Sequence, residues 1–215
     1  MSSILYFTLE PLLQSSLAAW LVVLFVVGVA IWSNLWLGAR SPLFLLINNT
    51  VLALAIVGAT NLWAQGGMKA RDIAVLAGVL ALYDLVATAL LPLMGKMFVR
   101  LASIPFAPVL SWGVADNQQL SIGLGDLLLM AAFALVMRKA FGISAGIVAL
   151  SLNLVTLAAM LALLVVGNVL VIVPAMTILG PLMVAQYVYW FRRRRVERTT
   201  QQYLQAEPLA KPRRA

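Results

Sequence analysis

Six apolar stretches, each about as long as a bilayer is thick, constrain this chain more than any other feature. A hydrocarbon core about 30 Å across takes about 20 mostly apolar helical residues to cross. The stretches run from Leu12 to Leu37, Pro42 to Ala64, Ile73 to Met94, Leu120 to Val136, Ile143 to Gly167 and Val169 to Phe191. Only Gly167-Asn168 parts the last two. Of the 215 residues, 63% are hydrophobic and 10% charged, against roughly 45–50% and about 25% in soluble domains. A fold of this size has too little interior to hide that excess, so its solvent must be lipid. The expected fold is all-α, a polytopic transmembrane bundle of about six spans. A soluble enzyme, a disordered chain and a secreted disulfide scaffold are excluded.

The first ten residues carry Glu10 and no Lys or Arg, so the first span reads as a retained helix, not a cleaved signal peptide. No internal repeat is evident. The chain divides into a single membrane domain, residues 1–191, and a basic tail, residues 192–215. An even number of spans places both termini on one side. That side holds Lys69, Arg71, Arg138, Lys139 and the run Arg192 to Arg195, whereas the other holds Arg40, Lys96 and Arg100. The positive-inside rule therefore sets both termini in the cytoplasm. Trp36, Trp63, Trp112 and Trp190 stand near span ends, as an interfacial belt requires. The net charge of +8 then records topology, with the tail expected against anionic lipid and not nucleic acid. Small size without soluble appendages points to a prokaryotic plasma membrane.

Five of the seven acids fall in loops or tails; Asp84 and Asp126 lie inside the third and fourth stretches. Asp84 stands 11 residues beyond Ile73, about 16 Å into the membrane at about 1.5 Å per residue. Asp126 is expected about six residues into its span from the opposite face. An ionised Asp facing lipid at mid-bilayer costs about 2.5–3.5 kcal/mol, so such acids turn inward and mark functional pathways. Neither span offers a Lys or Arg at that depth to pair with them. Without Cys or His, thiolate and imidazole chemistry and the common zinc ligands are ruled out. Two neighbouring carboxylates suit one reaction well. Like charges in low dielectric share a proton, so one draws a proton from water while the other polarises a peptide carbonyl. No cofactor or metal is required.

Three short elements appear in order: Tyr83-Asp84, Gly123-Leu124-Gly125-Asp126, and Pro174-Ala175-Met176. Together they resemble the presenilin and signal peptide peptidase family of intramembrane aspartyl proteases, as does the stretch from Phe98 to Pro108. The likeness covers roughly residues 73–191. Prepilin peptidases also carry Gly-x-Gly-Asp, but with a basic residue soon after, where this chain has Leu127, Leu128 and Leu129. Met176 replaces the family's usual Leu, and about six spans replace the usual nine. The resemblance implies Asp84 and Asp126 as the catalytic pair, with Tyr83, Gly123 and Gly125 supporting them. It implies that Pro174, Ala175 and Met176 meet an extended substrate, and that the substrates are transmembrane peptides or proteins. With cytoplasmic termini, the loop between the catalytic helices is expected to face outward, an arrangement similar to signal peptide peptidase and opposite to presenilin.

From the residues themselves, Gly123 and Gly125 permit close backbone approach, and Pro174 interrupts the sixth span and frees carbonyls. Asn48, Asn49, Asn153 and Asn168 read as interhelical glue. Two other readings stay open. In one, Asp84 and Asp126 relay protons in a small proton-coupled transporter or channel. In the other, the acids pair with a basic residue of a partner in a non-catalytic scaffold.

Overall fold

Backbone polar groups in lipid have no water to bond, so the apolar runs close their hydrogen bonds within helices. The computed structural model describes residues 2–13, 15–38, 41–89, 109–113, 119–166 and 175–205. Outside them lie Pro174, the stretch from Phe98 to Pro108, Asn168, the far-side cations Arg40, Lys96 and Arg100, and the last ten residues of the expected tail. In chain order the elements are α1 Ser2–Leu13, α2 Ser16–Leu37, α3 Pro42–Gln65, α4 Ala70–Ala89, β1 Val109–Gly113, β2 Gln119–Gly123, α5 Leu124–Phe141, α6 Ile143–Val166, α7 Ala175–Arg194 and α8 Thr200–Leu204. The chain is thus predominantly helical, as expected, with one short β-hairpin that an all-α reading omits.

Among the described residues three helices are long and apolar enough to cross a membrane: α2, α3, and α6 from Ile143 to Leu164. Helices α4, α5 and α7 occupy three further expected stretches with 20, 18 and 20 residues. Charges within them, among them Arg71, Asp72, Asp126, Arg138 and Lys139, lower their mean hydropathy. The outward side chains Phe25, Leu35 and Trp36 of α2 are 72%, 76% and 76% exposed. An apolar surface of that kind is made for lipid, not for water.

The first compact unit comprises residues 1–59 and 96–128. The first span does not begin at Leu12: Ser15 stops the chain in extended conformation and caps α2, its hydroxyl accepting from the Ala18 N–H at 3.4 Å. The 12 residues before it form α1, about 18 Å long and too short to span. Helix α1 packs instead on its neighbours. Leu5 is fully buried with Val23, Ala30, Val51 and Ala55, and Tyr6 stacks on Trp20 at 4.9 Å. Since lipid tails are as apolar as leucine, helix association rests on close packing and interhelical hydrogen bonds. Thr8 supplies such a bond, its hydroxyl donating to Leu54 O at 3.1 Å.

In the hairpin, residues 109–113 pair antiparallel with residues 119–123, Ser111 opposite Ser121, their hydroxyls 2.7 Å apart. The run Gln119-Leu120-Ser121-Ile122 alternates polar and apolar, a strand period and not a helical one. That is why α5 starts at Leu124 and not at Leu120. Asn49 fixes the hairpin to α3: its Nδ2 donates to Ser111 O at 2.8 Å and its Oδ1 accepts the Ser111 N–H at 3.1 Å. The side-chain amide thereby acts as a strand residue on the outer edge of β1. Asn49 is indeed glue, although what it holds is the hairpin.

The second unit comprises residues 60–95 and 129–215. Gly142, at φ +102°, separates α5 from α6 by a single residue, a left-handed conformation that glycine takes without strain. Helices α6 and α7 are joined by a buried hydrogen bond from Gln186 Nε2 to Asn153 Oδ1, 3.1 Å. The inward stripe of α7 continues through Met183 and Gln186 to Trp190. Trp190 is therefore buried and does not join the expected interfacial belt; Trp36 and Trp112 are exposed. At the basic end, Lys139 is 4% exposed and donates to Ala64 O, Met68 O and Thr200 Oγ1 at 2.8, 2.6 and 3.2 Å. Arg198 Nε donates to Lys139 O at 3.1 Å, so residues 195–200 strap over the end of α5.

Candidate active site

Asp84 owes its position to an alanine stripe. Ala70, Ile73, Ala74, Ala77 and Ala81 form one buried face of α4 at helical spacing, and Asp84, three residues beyond Ala81, continues it. That face packs on α7. A Cβ built on Gly180 would lie 2.5 Å from Ala77 O and 2.6 Å from Ala81 Cβ, closer than any real side chain can sit. Val184 meets Gly78 farther along, so the two helices run antiparallel with almost no side chain between them. One turn along the pair, Asp84 arrives at the start of α7, where the Met176 backbone N–H donates to its carboxyl. Met176 is the second residue of α7, and N–H groups in a first helical turn have no intrahelical acceptor. A carboxylate at a helix N-terminus also meets the positive end of its macrodipole.

The stripe that turns Asp84 inward turns Tyr83 outward, where it is 58% exposed. Tyr83 is thus on the opposite face of α4 from α7. Ala175 and Met176 are buried beside the Asp84 contact. Sequence reading missed Thr177. Its Oγ1 is buried with no hydrogen-bond partner among the described residues. Its carbonyl faces Pro181, a residue inside α7 without the N–H that would close the i to i−4 bond. The signal was visible as a proline four positions after Thr177.

Asp126 belongs to the first unit and Asp84 to the second. Asp126 is the third residue of α5, not about six residues into a span, because β2 occupies the preceding positions. The carboxylate folds back over Gly123: a Cβ built there would lie 3.1 Å from Asp126 Oδ2. It is half-buried. Gly125, between them, is exposed with open space where a Cβ would stand. The hairpin runs without a break into this turn. Because Ser111 directs its N–H and C=O to Asn49, the Ser111–Ser121 pair is not hydrogen-bonded across the ladder. Ser121 therefore points its backbone N–H and C=O away from β1.

Within the second unit Asp84, Ala175 and Met176 thus come together, and within the first unit Gly123, Gly125 and Asp126 do. No protein-family model, curated protein or solved structure matches this chain.

Proposed function

We propose that the chain is an intramembrane aspartyl protease that hydrolyses peptide bonds within transmembrane segments, with Asp84 and Asp126 as the catalytic pair. One observation carries this reading. The hydrogen bond from the Met176 N–H to Asp84 joins two of the three motif elements, although 91 residues separate them in sequence. A buried hydrophobic helix pair does not need an aspartate at that point; a hydrolase does.

In the proposed reaction the ionised carboxylate takes a proton from water while the hydroxyl adds to the peptide carbonyl carbon. The protonated partner gives its proton to the carbonyl oxygen. The gem-diol then collapses as the C–N bond breaks: one of its hydroxyls returns a proton to the partner carboxylate, and the amine nitrogen takes up a proton from the carboxyl that received the first one. A helical substrate must unwind first, because its carbonyls are hydrogen-bonded within the helix. Extended backbone gains partners by β-augmentation, for which the outward groups of Ser121 and the acceptors of Thr177 are suited.

Helices α4, α5 and α7 are read as spanning with α2, α3 and α6, which makes six spans with cytoplasmic termini by the positive-inside rule. That orientation favours substrates with a cytoplasmic N-terminus or remnant signal peptides in a prokaryotic plasma membrane. The test incubates purified protein with a labelled transmembrane peptide, with and without a transition-state-mimic aspartyl protease inhibitor. Inhibitor-sensitive cleavage that disappears in Asp84→Asn and in Asp126→Asn supports the proposal. Proton flux in liposomes without cleavage establishes the transporter reading, and full cleavage by either variant ends this one.

A further inference from the structure

At the basic end of the second unit three helix ends come level: the start of α4, the end of α5 and the end of α7. Between them opens a cleft of about 610 Å³, roofed by residues 197–201. Its lining is of two kinds. Lys69, Arg71, Lys139 and Arg198 bring positive charge, with Glu197 the single acid among the lining residues, and Tyr187 and Phe191 bring aromatic surface. Lys139 shapes the field inside. It is 4% exposed, and its three donated hydrogen bonds go to two carbonyls and a hydroxyl, all neutral. The buried charge is therefore not cancelled by those contacts, and burial pushes the ammonium below its usual range while Glu197 opposes the shift. Lys69 and Arg71 stand exposed at the rim, and among the described residues Arg71 pairs with Asp72 at 3.6 Å.

We propose that this cleft binds the headgroup of an anionic glycerophospholipid, its phosphate held by Lys69 and Arg71 in the field of the buried Lys139 and its first acyl carbons on Tyr187 and Phe191. The match is one of charge and level. A cationic pocket flanked by aromatic rings, at the ends of lipid-embedded helices, meets a bilayer where phosphate gives way to hydrocarbon. A soluble anion would use the cations and leave the aromatic wall idle. The inference is independent of the protease reading and goes beyond a diffuse attraction of the tail, because it assigns a single site of defined residues outside the arginine run.

The experiment titrates the purified full chain in neutral detergent with short-chain phosphatidylglycerol, counting bound lipid by native mass spectrometry. Phosphatidylcholine and inorganic phosphate form the other arms. The expected result is one tight phosphatidylglycerol, with phosphatidylcholine much weaker and millimolar inorganic phosphate unable to displace it. Lys69→Gln with Arg71→Gln weakens the site about 25-fold, at about fivefold per interfacial cation, whereas Arg192→Gln with Arg193→Gln leaves the first lipid in place. Arg71→Gln alone, at a side chain 68% exposed, gives about a fivefold loss without risk to folding. Equal binding of phosphatidylcholine, displacement by inorganic phosphate, or an equal loss from the arginine-run variant overturns the proposal.

Discussion

The carboxyl of Asp84 accepts the backbone N–H of Met176, which ties the far half of α4 to the first turn of α7. An asparagine at position 84 keeps an oxygen for that N–H and loses only the ability to exchange a proton. Asp84→Asn is therefore expected to unfold within about 1 kcal/mol of the parent, since the hydrogen bond survives. Its cleavage of a transmembrane peptide falls by at least about 10²–10⁴, the usual scale of acid–base catalysis. Asp84→Ala also removes the acceptor and shifts unfolding further. Peptide cleavage and thermal unfolding in detergent, run on both variants, separate the chemical role from the structural one. Equal cleavage by Asp84→Asn and the parent removes Asp84 from the mechanism.

Two glycines of the site predict opposite outcomes. At Gly180 a methyl group would strike Ala77 O and Ala81 Cβ. Gly180→Ala is thus expected to prise α4 from α7, destabilise by about 1–3 kcal/mol, and reduce cleavage by moving Met176 off Asp84. At Gly125 nothing stands within 4 Å, so Gly125→Ala leaves the unfolding midpoint where it is. If a substrate backbone passes beside Asp126, that same variant loses cleavage through KM. Steady-state kinetics beside thermal unfolding reads both, and unchanged kinetics in Gly125→Ala shows that no substrate passes there.

What the sequence disclosed and what it hid differ by the range of the interaction. Spans of uniform hydrophobicity such as α2, α3 and α6 are legible because lipid imposes a length and a composition on them. The Tyr83–Asp84 pair was equally plain, yet its two side chains part company because consecutive residues on a helix point about 100° apart. The hairpin was hidden: five residues with strand alternation lay against a long apolar helix, and hydropathy merged the two. The pairing that makes Gln119–Gly123 a strand is with Val109–Gly113 and with Asn49, and nothing local in the sequence names those partners. Likewise Ser15 ends one helix and begins another through a single hydroxyl, too small a feature to register in a span-length window. The Asp84–Met176 contact was approached only through motif order, since the chain gives no local sign that α4 and α7 touch.

Lys139 predicts a pH dependence outside the candidate site. Burial holds its folded-state pKa below the unfolded 10.5, with Glu197 partly restoring it. The folded chain thus binds this proton less tightly than the unfolded chain does. Between the lowered value and 10.5 the unfolded state carries more protons, so stability rises with pH across that window. Lys139→Met removes this slope. It also leaves Ala64 O and Met68 O without their donor, for a loss of about 1–3 kcal/mol near neutrality. Thermal unfolding of parent and variant over a pH series checks both effects, and parallel profiles would show that Lys139 does not titrate differently on unfolding.

Asn49 offers the sharpest test of the hairpin, because one side chain makes both bonds to Ser111, at 2.8 and 3.1 Å. Asn49→Ala deletes them together and is expected to cost about 1–3 kcal/mol, since Ser111 is 4% exposed and its backbone groups are left unmatched. Asn49→Asp keeps the acceptor for the Ser111 N–H but sets a carboxylate oxygen against the Ser111 carbonyl, so its loss is at least as large. Amide hydrogen exchange at Ser111 reports the change directly: protection falls in Asn49→Ala, while α2 amides keep theirs. Because β2 passes straight into the turn that carries Asp126, cleavage falls alongside protection. Loss of protection with undiminished cleavage would mean that the hairpin does not position Asp126.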